Sequence, residues 1–157
     1  MNMKIIGAMM GIALLAGCAS TNTGATAGTG GAAVSSGPVP GSQEDLVANV
    51  GDRVFYAFNV SALSTDAQGT LQRQSAWLGK YPQVSVQVAG NTDDRGTEEY
   101  NLALGQRRAN SARDYLVAKG TSSARISTIS YGKDRPTATG DDESAWAQNR
   151  NAITSVK

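Results

Sequence analysis

Two residues of opposite charge, Asp93 and Arg108, are the first candidates for chemistry in this chain. Asp93 lies in a polar loop that follows an apolar run, and Arg108 lies in the helical pattern that comes next. An acid and a base placed this way can face each other across a small cleft and make charge-assisted hydrogen bonds. The spacing alone leaves two interpretations open: a binding site for a charged ligand, or a salt bridge that pins the loop to the helix.

The elements that must position this pair are a strand, a loop and a helix. Residues 84–89 alternate between apolar and polar types, which predicts a half-buried strand. A helix is predicted from near Tyr100 to Lys119, with Gly120 as the residue that ends it. One face of this helix carries small and apolar residues at the three-and-four spacing of a packed helix, namely Leu102, Gly105, Ala109, Ala112 and Leu116.

Residues 90–109 read GNTDDRGTEEYNLALGQRRA. This segment resembles the signature G-[HN]-x-D-E-R-G-T-x-E-Y-N-x-x-L-G-x-R-R-A of the OmpA-like peptidoglycan-binding domain, in the form found in the peptidoglycan-associated lipoprotein (Pal) family. The one departure at a charged position is Asp94, where the family usually has Glu. The similarity extends from about residue 54 to about residue 153, and its many fixed spacings make it far more specific than a lone glycine motif.

The resemblance implies a ligand as well as a fold. The family binds the stem peptide of peptidoglycan, chiefly its meso-diaminopimelate residue, whose side chain ends in an ammonium and a carboxylate on one carbon. By resemblance, Asp93 would accept from the ammonium and Arg108 would hold the carboxylate. A lysine-containing stem lacks that carboxylate and would leave Arg108 without a partner, which would supply specificity.

Further residues fall on family contact positions: Phe58, Asn59, Arg95 and Leu104. Phe58 could equally belong to the core, and Asn59 stands where the family usually has Asp. Arg107 is expected to be solvated or bridged to a nearby acid, and the role of Arg150 stays open. The remaining assignments are structural: the turn at Tyr131, Gly132 and Lys133, and the packing of Trp77 and Trp146 in the core or at the sheet edge.

Composition excludes several classes of function. The chain has 157 residues, 40% of them hydrophobic, and a formal net charge of +1, so it suits one domain with appendages and predicts no nucleic-acid partner. Histidine is absent, which removes the commonest general base and metal ligand. An EF-hand-like calcium loop starting at Asn91 is disfavoured by Arg95 and by Leu102, which stands where a bidentate Glu is required. We therefore expect no metal and no cofactor.

An enzyme is also not expected. The polar segment of residues 90–99, between the predicted strand and helix, is called the signature loop below. A cell-wall hydrolase could use acids of this loop, such as Asp93, Asp94 or Glu98, since paired carboxylates catalyse glycoside hydrolysis. Nothing in the sequence indicates that one of them has a raised pKa, and the chain cannot form a Ser/His or Cys/His set because it has no histidine.

The N-terminal region predicts export and lipidation. Residues 1–17 combine Lys4 with an apolar run too short to span a bilayer, which is typical of a signal peptide. Residues 15–18, Leu-Ala-Gly-Cys, resemble a lipobox, so Cys18 is expected to be acylated; a plain signal peptide or a free or disulfide-bonded cysteine are the alternatives. Cys18 is followed by Ala19 and not by the Asp that often retains lipoproteins in the inner membrane. By resemblance, this favours an outer-membrane location. Residues 18–42 are predicted to be a lipidated N-terminus with a disordered tether, and residues 43–157 the folded domain.

The other elements complete the predicted fold. Strands are predicted at residues 53–58, 125–131 and 151–156, with a helix over 65–80 capped by Ser64. Asp141 and Asp142 are predicted to lead into a short helix that runs through Trp146. This alternation predicts an α/β two-layer sandwich, and the resemblance adds a mixed four-stranded sheet.

The expected function is that of a non-catalytic outer-membrane lipoprotein that faces the periplasm and holds peptidoglycan. By resemblance its partners would include TolB and other Tol proteins, with a role in envelope integrity and cell division. An OmpA-like lipoprotein without a Tol partner, or a scaffold or adhesin that uses the domain only as structure, remain as alternatives.

Overall fold

The computed structural model describes residues 37–157, in which four α-helices and four strands follow one another. The predicted signal peptide, Cys18 and most of the predicted tether lie outside the described residues. Within residues 37–157, no helix is both long enough and apolar enough to cross a bilayer. A single turn of 3₁₀ helix, Ser123–Arg125, precedes the third strand. The elements in chain order are α1 (Gln43–Asn49), β1 (Arg53–Phe55), α2 (Thr65–Lys80), β2 (Val86–Asn91), α3 (Glu98–Ala118), β3 (Ile126–Gly132), α4 (Glu143–Asn149) and β4 (Asn151–Val156).

The four strands form one mixed sheet in the order β1-β4-β2-β3. β2 runs parallel to β3, and β4 runs antiparallel to both β1 and β2. A parallel pair needs a crossover connection, which α3 supplies by packing on β2 and β3. The predicted two-layer α/β sandwich with a mixed four-stranded sheet is therefore confirmed.

The hydrophobic core lies between the sheet and the helices. Alternate residues of the strands point towards the helix layer because successive side chains of a strand face opposite sides. Burying each large aliphatic side chain contributes about 1.5–3 kcal/mol relative to leaving it exposed. The central buried residues are Leu46 of α1, Val54 of β1, Leu71 and Leu78 of α2, Val86 and Val88 of β2, and Leu116 of α3.

Two glycines allow α3 to approach β2 closely. A Cβ added to Gly105 would lie 2.8 Å from the carbonyl oxygen of Gly90, and one added to Gly90 would overlap the carbonyl oxygen of Gly105. The Gly105 Cβ would also overlap the hydroxyl of Ser130. The backbones therefore meet where any side chain would hold them apart, and this contact fixes the height of Arg108 above the sheet.

α3 differs from its prediction in two respects. It begins at Glu98, two residues earlier than expected, because the hydroxyl of Thr97 caps it by accepting from the backbone N–H of Tyr100. Leu102 was expected on the packed face but is 48% exposed, whereas Leu104 is buried. The predicted face is otherwise confirmed, since Gly105, Ala109, Ala112 and Leu116 are buried, and Leu104 takes the place of Leu102 at its N-terminal end.

Other boundaries are confirmed or corrected locally. α2 and β4 match their predictions, with Ser64 capping α2. The predicted strand at residues 53–58 ends at Phe55, since the chain turns away and Asn59 adopts a φ of +56°. β2 spans Val86–Asn91 rather than 84–89, and α4 extends to Asn149.

α1 was missed altogether, because seven residues carry too little periodicity to signal a helix. It is held by one local contact and one tertiary contact of Asp45. The carboxylate of Asp45 accepts hydrogen bonds from the Gly41 backbone N–H at 2.8 Å and from the Trp77 indole N–H at 2.9 Å.

Candidate functional site

A pocket of about 280 Å³ opens where β2 ends and α3 begins. The signature loop forms one wall, α3 forms the floor, and the loop after β1 forms the opposite wall. All six residues predicted to contact a ligand line this pocket: Phe58, Asn59, Asp93, Arg95, Leu104 and Arg108. The structure therefore brings together residues that span fifty positions of the sequence.

Asp93 is buried and pairs with two arginines. Its Oδ2 accepts from Nη2 of Arg95 at 2.6 Å and from Nη1 of Arg150 at 3.3 Å. Burial raises the pKa of Asp93, but the hydrogen bonds from Arg95 and Arg150 outweigh it, so its pKa is lowered overall. Asp93 is consequently ionised at neutral pH and offers a fixed negative charge at the pocket wall.

Arg108 is almost completely buried, with 1% of its surface exposed. Its guanidinium donates to three backbone carbonyls: Nε to Val60 at 2.9 Å, Nη1 to Asn91 at 2.8 Å and Nη2 to Ala57 at 3.1 Å. A guanidinium has five N–H groups, so one on each terminal nitrogen is not used by these bonds. Among residues 37–157, no carboxylate lies within salt-bridge distance of it.

The positive charge of Arg108 is therefore buried without an acid in direct contact. Burial lowers its pKa to about 10, and the more distant charge of Asp93 opposes this shift. The salt bridge between Asp93 and Arg108 that the spacing left open is not formed, because Asp93 pairs with Arg95 and Arg150 instead. The pocket thus presents a carboxylate and a guanidinium that do not neutralise each other by contact.

Arg95 forms the lip of the pocket between two aromatic rings. Its guanidinium carbon lies 4.1 Å from the ring centroid of Phe58 and 4.0 Å from that of Trp146. Its Nη2 is also 3.9 Å from Oε2 of Glu143 on α4. Phe58 is 58% exposed, so the interpretation of this residue as core is wrong. It offers an apolar platform at the pocket entrance.

The two remaining predicted contact residues differ in burial. Leu104 is buried and supplies an apolar part of the floor. Asn59 is exposed, and its side-chain oxygen accepts a hydrogen bond from the hydroxyl of Tyr100, which closes one side of the pocket. The positive φ of Asn59 is a conformation that Asn tolerates better than most residues.

Arg150 was left without a role by the sequence, and the structure makes it part of the site. Its Nε donates to the backbone oxygen of Tyr56 at 3.1 Å, and its Nη2 donates to Oε1 of Glu143 at 2.5 Å. Together with its bond to Asp93, these contacts tie α4 and the segment directly after β1 to the signature loop. Glu143 and Tyr100 were also missed, since neither lies near Asp93 in a readable sequence pattern.

The two tryptophans behave differently. Trp77 is buried and packs in the core, as predicted. Trp146, predicted to be a packing residue, is only half buried and presents its ring to Arg95. Arg107 is exposed, in agreement with the expectation of a solvated side chain.

The turn predicted to be structural braces the loop. Gly132 has a φ of +52° and lies against the backbone of α3. Lys133 Nζ donates to the carbonyl of Gly96 at 3.0 Å. The end of β3 therefore supports the signature loop from outside the pocket.

Comparison with known proteins defines the class. The model of the OmpA family matches residues 55–150 of the chain. The chain is 49% identical over 149 residues to the peptidoglycan-associated lipoprotein of Mesorhizobium japonicum, and the alignment covers 95% of this chain and 89% of the relative. The chain therefore belongs to the OmpA family, within its group of peptidoglycan-associated lipoproteins.

Solved structures agree with this assignment. The crystal structure of the peptidoglycan-associated lipoprotein from Burkholderia pseudomallei superposes with a TM-score of 0.66 at 40% identity, covering 68% of this chain and 90% of that one. The C-terminal domain of Helicobacter pylori MotB superposes with a TM-score of 0.64 at 23% identity, covering 68% and 84%, and shares the fold alone.

Proposed function

We propose that the pocket binds the side-chain terminus of meso-diaminopimelate in the stem peptide of peptidoglycan. Asp93 accepts hydrogen bonds from the ammonium, and Arg108 donates its two remaining N–H groups to the carboxylate. The observation that carries the proposal is the buried guanidinium of Arg108, which has no acid in contact and lines the same pocket as Asp93.

The charges around the pocket favour a ligand with a carboxylate. Three guanidiniums, those of Arg95, Arg108 and Arg150, lie near two carboxylates, those of Asp93 and Glu143. A zwitterion leaves this balance unchanged while placing its carboxylate beside the unpaired guanidinium. An ammonium alone would add a positive charge to a site that already has an excess of one. A lysine side chain is therefore a poor ligand.

The energetics are consistent with moderate affinity. Charge-assisted hydrogen bonds contribute on the order of 1.5–3 kcal/mol each, and the ligand's methylene groups can rest on Phe58 and Leu104. After the entropic cost of association, a few such contacts support a dissociation constant in the micromolar range. This corresponds to a binding free energy of about −8 kcal/mol. Weak, reversible contacts suit a protein that holds a polymer at many sites.

The wider function follows from the same proposal. Acylation at Cys18 anchors the chain in the outer membrane, and the domain in the periplasm holds the cell wall without catalysis. The relatives' name, peptidoglycan-associated lipoprotein, supports both halves of this proposal. We extend it to a Tol-Pal role in envelope integrity and cell division, which co-purification of TolB with the acylated protein would support and its absence would contradict.

Sedimentation with purified sacculi tests the site. Asp93→Asn and Arg108→Lys are expected to lose pelleting, whereas Asp114→Asn and Arg113→Lys serve as matched controls. Arg113 and Asp114 form an exposed ion pair on the same helix, away from the pocket. Undiminished pelleting of both site variants would overturn the proposal and leave the domain as a structural scaffold.

A titration with purified muropeptides tests the ligand. The wild-type protein is expected to bind the diaminopimelate form at least about tenfold more tightly than the lysine form, because the latter leaves a buried charge unpaired. Arg108→Lys should reduce this preference. Equal affinity of the wild type for both muropeptides would contradict the proposed contact with Arg108.

A further inference from the structure

We propose that Trp146 is a positioning residue for the pocket, whose ring keeps the guanidinium of Arg95 against Asp93 and so fixes the carboxylate that receives the ligand's ammonium. This inference rests on the proposed function of the site. It assigns a role to helix α4, which contributes no residue to the pocket lining itself.

The first observation is the confinement of Arg95. Its side chain is one-third exposed and could adopt many rotamers in water. It is instead flanked by the rings of Phe58 and Trp146, both within 4.1 Å of its guanidinium carbon. Guanidinium groups stack favourably on aromatic faces, which restricts them to a plane. Here that restriction keeps Nη2 within 2.6 Å of Asp93 Oδ2.

The second observation concerns which part of Trp146 is used. Its indole Nε1 is buried and has no hydrogen-bond partner among the described residues. Buried indole N–H groups usually have an acceptor, and this one has none. The N–H group of Trp146 therefore contributes no hydrogen bond at this position. The face of the ring is the part that makes a specific contact. Phenylalanine, which keeps a face but has no donor, should therefore replace it with little effect.

The third observation is that hydrogen bonds hold α4 at both ends, as a positioning element requires. The Asp142 carboxylate caps its first turn by accepting from the Ala145 N–H at 2.9 Å. At its other end, the side chain of Asn149 accepts from the backbone N–H groups of Thr137 and Ala138. The helix therefore delivers the Trp146 ring to one place.

Removing the ring should weaken the hold on Asp93. Arg95 would then be free to move away from the carboxylate or towards Glu143, whose Oε2 lies 3.9 Å from it. Of its two side-chain hydrogen bonds, Asp93 would keep the longer one, from Arg150 at 3.3 Å. Because a nearby guanidinium favours the ionised carboxyl, the pKa of Asp93 should rise and its orientation should loosen.

The test is a double-mutant cycle between Trp146 and Arg95 in the full chain in detergent, read by affinity for the diaminopimelate muropeptide. Trp146→Leu should weaken binding by about three- to tenfold, the range expected of one stacked cation, while Trp146→Phe should stay within about twofold. In an Arg95→Lys background, where no planar group remains to stack, Trp146→Leu should change affinity by less than about twofold. Tyr115→Leu is the matched control, since it removes a ring from another cation, Lys119, outside the pocket.

A second readout does not need the ligand. Carbon NMR of the Asp93 carboxyl should show a raised pKa in Trp146→Leu and an unchanged one in Trp146→Phe. Equal effects of Trp146→Leu in both backgrounds, or an unchanged Asp93 pKa, would show a merely structural role and overturn the inference. If Trp146→Leu does not fold, Trp146→Met takes its place in both readouts, because it fills much of the same volume but offers no aromatic face to Arg95.

The two proposals fail separately. A wild-type protein that ignores the muropeptide would refute the proposed function, while the Asp93 titration would still support or overturn the positioning role. If the wild-type protein binds the muropeptide but the pKa of Asp93 is the same in Trp146→Leu, only the role of Trp146 is refuted.

Discussion

Asp93 and Arg108 contribute opposite charges to one pocket but are held in different ways. Asp93 is fixed by side chains, through the guanidiniums of Arg95 and Arg150. Arg108 is fixed by the backbone, through carbonyls of the loop after β1 and of β2. Carbonyls orient a guanidinium without cancelling its charge, so the charge of Arg108 remains available to an anion. The charge of Asp93, by contrast, must be shared between its own arginines and any ligand.

The lowered pKa of Asp93 predicts the pH dependence of binding. An ammonium binds the ionised carboxylate, and the folded-state pKa lies below the ordinary value of 3.8. Affinity for the diaminopimelate muropeptide should therefore be constant from neutral pH to about pH 5 and fall only as the pH drops through the lowered pKa. Calorimetric titrations from pH 7 to pH 3 would measure both the constant range and the start of the fall. A loss of affinity centred above pH 5 would contradict it.

Asp45 should govern acid stability. Hydrogen bonds from the Gly41 backbone, then from Trp77 and Asn49, lower its pKa from 3.8 to about 2. Because the folded-state pKa is depressed, its stabilising contribution is complete above pH 3.8 and is lost as the pH falls towards 2. Asp45→Asn should thus be less stable than the wild type at pH 6, and the gap should narrow below pH 3.8 in urea unfolding. A gap that stays constant with pH would show that the charge is not responsible.

At the scale of elements, the approach of α3 to the sheet sets the site. The helix carries Leu104 and Arg108 into the pocket. It can approach β2 closely because Gly90 and Gly105 have no side chains. The N-terminus of the same helix is capped by Thr97, directly after the signature loop. Loop and helix are therefore one unit, in which a change of packing alters the pocket.

Gly105→Ala tests this contact. Its methyl group would overlap the Ser130 hydroxyl and lie 2.8 Å from the Gly90 carbonyl, so the variant should lose about 1–3 kcal/mol of unfolding free energy through overpacking. Gly79→Ala is the matched control, because a Cβ there meets nothing within 4 Å and α2 should gain up to about 1 kcal/mol. Urea unfolding measures both. A Gly105→Ala protein as stable as the wild type would show that α3 can move away freely.

At the scale of the whole molecule, the pocket and the point of chain entry lie at opposite ends of the sheet. Gln43, the first residue of α1, bonds to Val156 and Thr154 at the end of β4, beside the start of β2. The pocket lies beyond the other end of β2, six residues away, or roughly 17 Å. The pocket is therefore remote from the first helix of the described domain.

This separation predicts that the length of the predicted tether affects how far the domain can reach but not the affinity of the pocket for its ligand. Deleting residues 20–35 should leave muropeptide affinity unchanged, since the pocket is built wholly from residues of the folded domain. The same deletion should reduce the fraction of membrane-bound protein that captures sacculi, because the predicted tether would lose most of its maximal reach of about 80 Å. Flotation of proteoliposomes with sacculi measures capture. Unaltered capture would mean that the tether is not needed for reach.

Much of the fold could be read from the sequence because its signals are local. Ser64, Gly120 and the turn at Gly132 end or begin elements through contacts within a few residues, and the spacing of apolar residues gave the helices and strands between them. α1 could not be predicted from such local signals, because contacts of Asp45 and Leu46 with the rest of the domain stabilise it. The exposure of Leu102 could not be predicted, because the spacing of apolar residues does not show where along a helix its packed face ends.

The sequence by itself determined the class of the domain, the two-layer fold and the six residues that meet in one pocket, because the resemblance to a known family extends from about residue 54 to about residue 153 and includes all six positions. Only the tertiary structure decided how their charges are paired. Arg150 and Glu143 reach Asp93 and Arg95 across about fifty residues, and Trp146 stacks on Arg95 from a helix of its own. Such contacts depend on where separate elements pack, and no pattern along the chain records that placement.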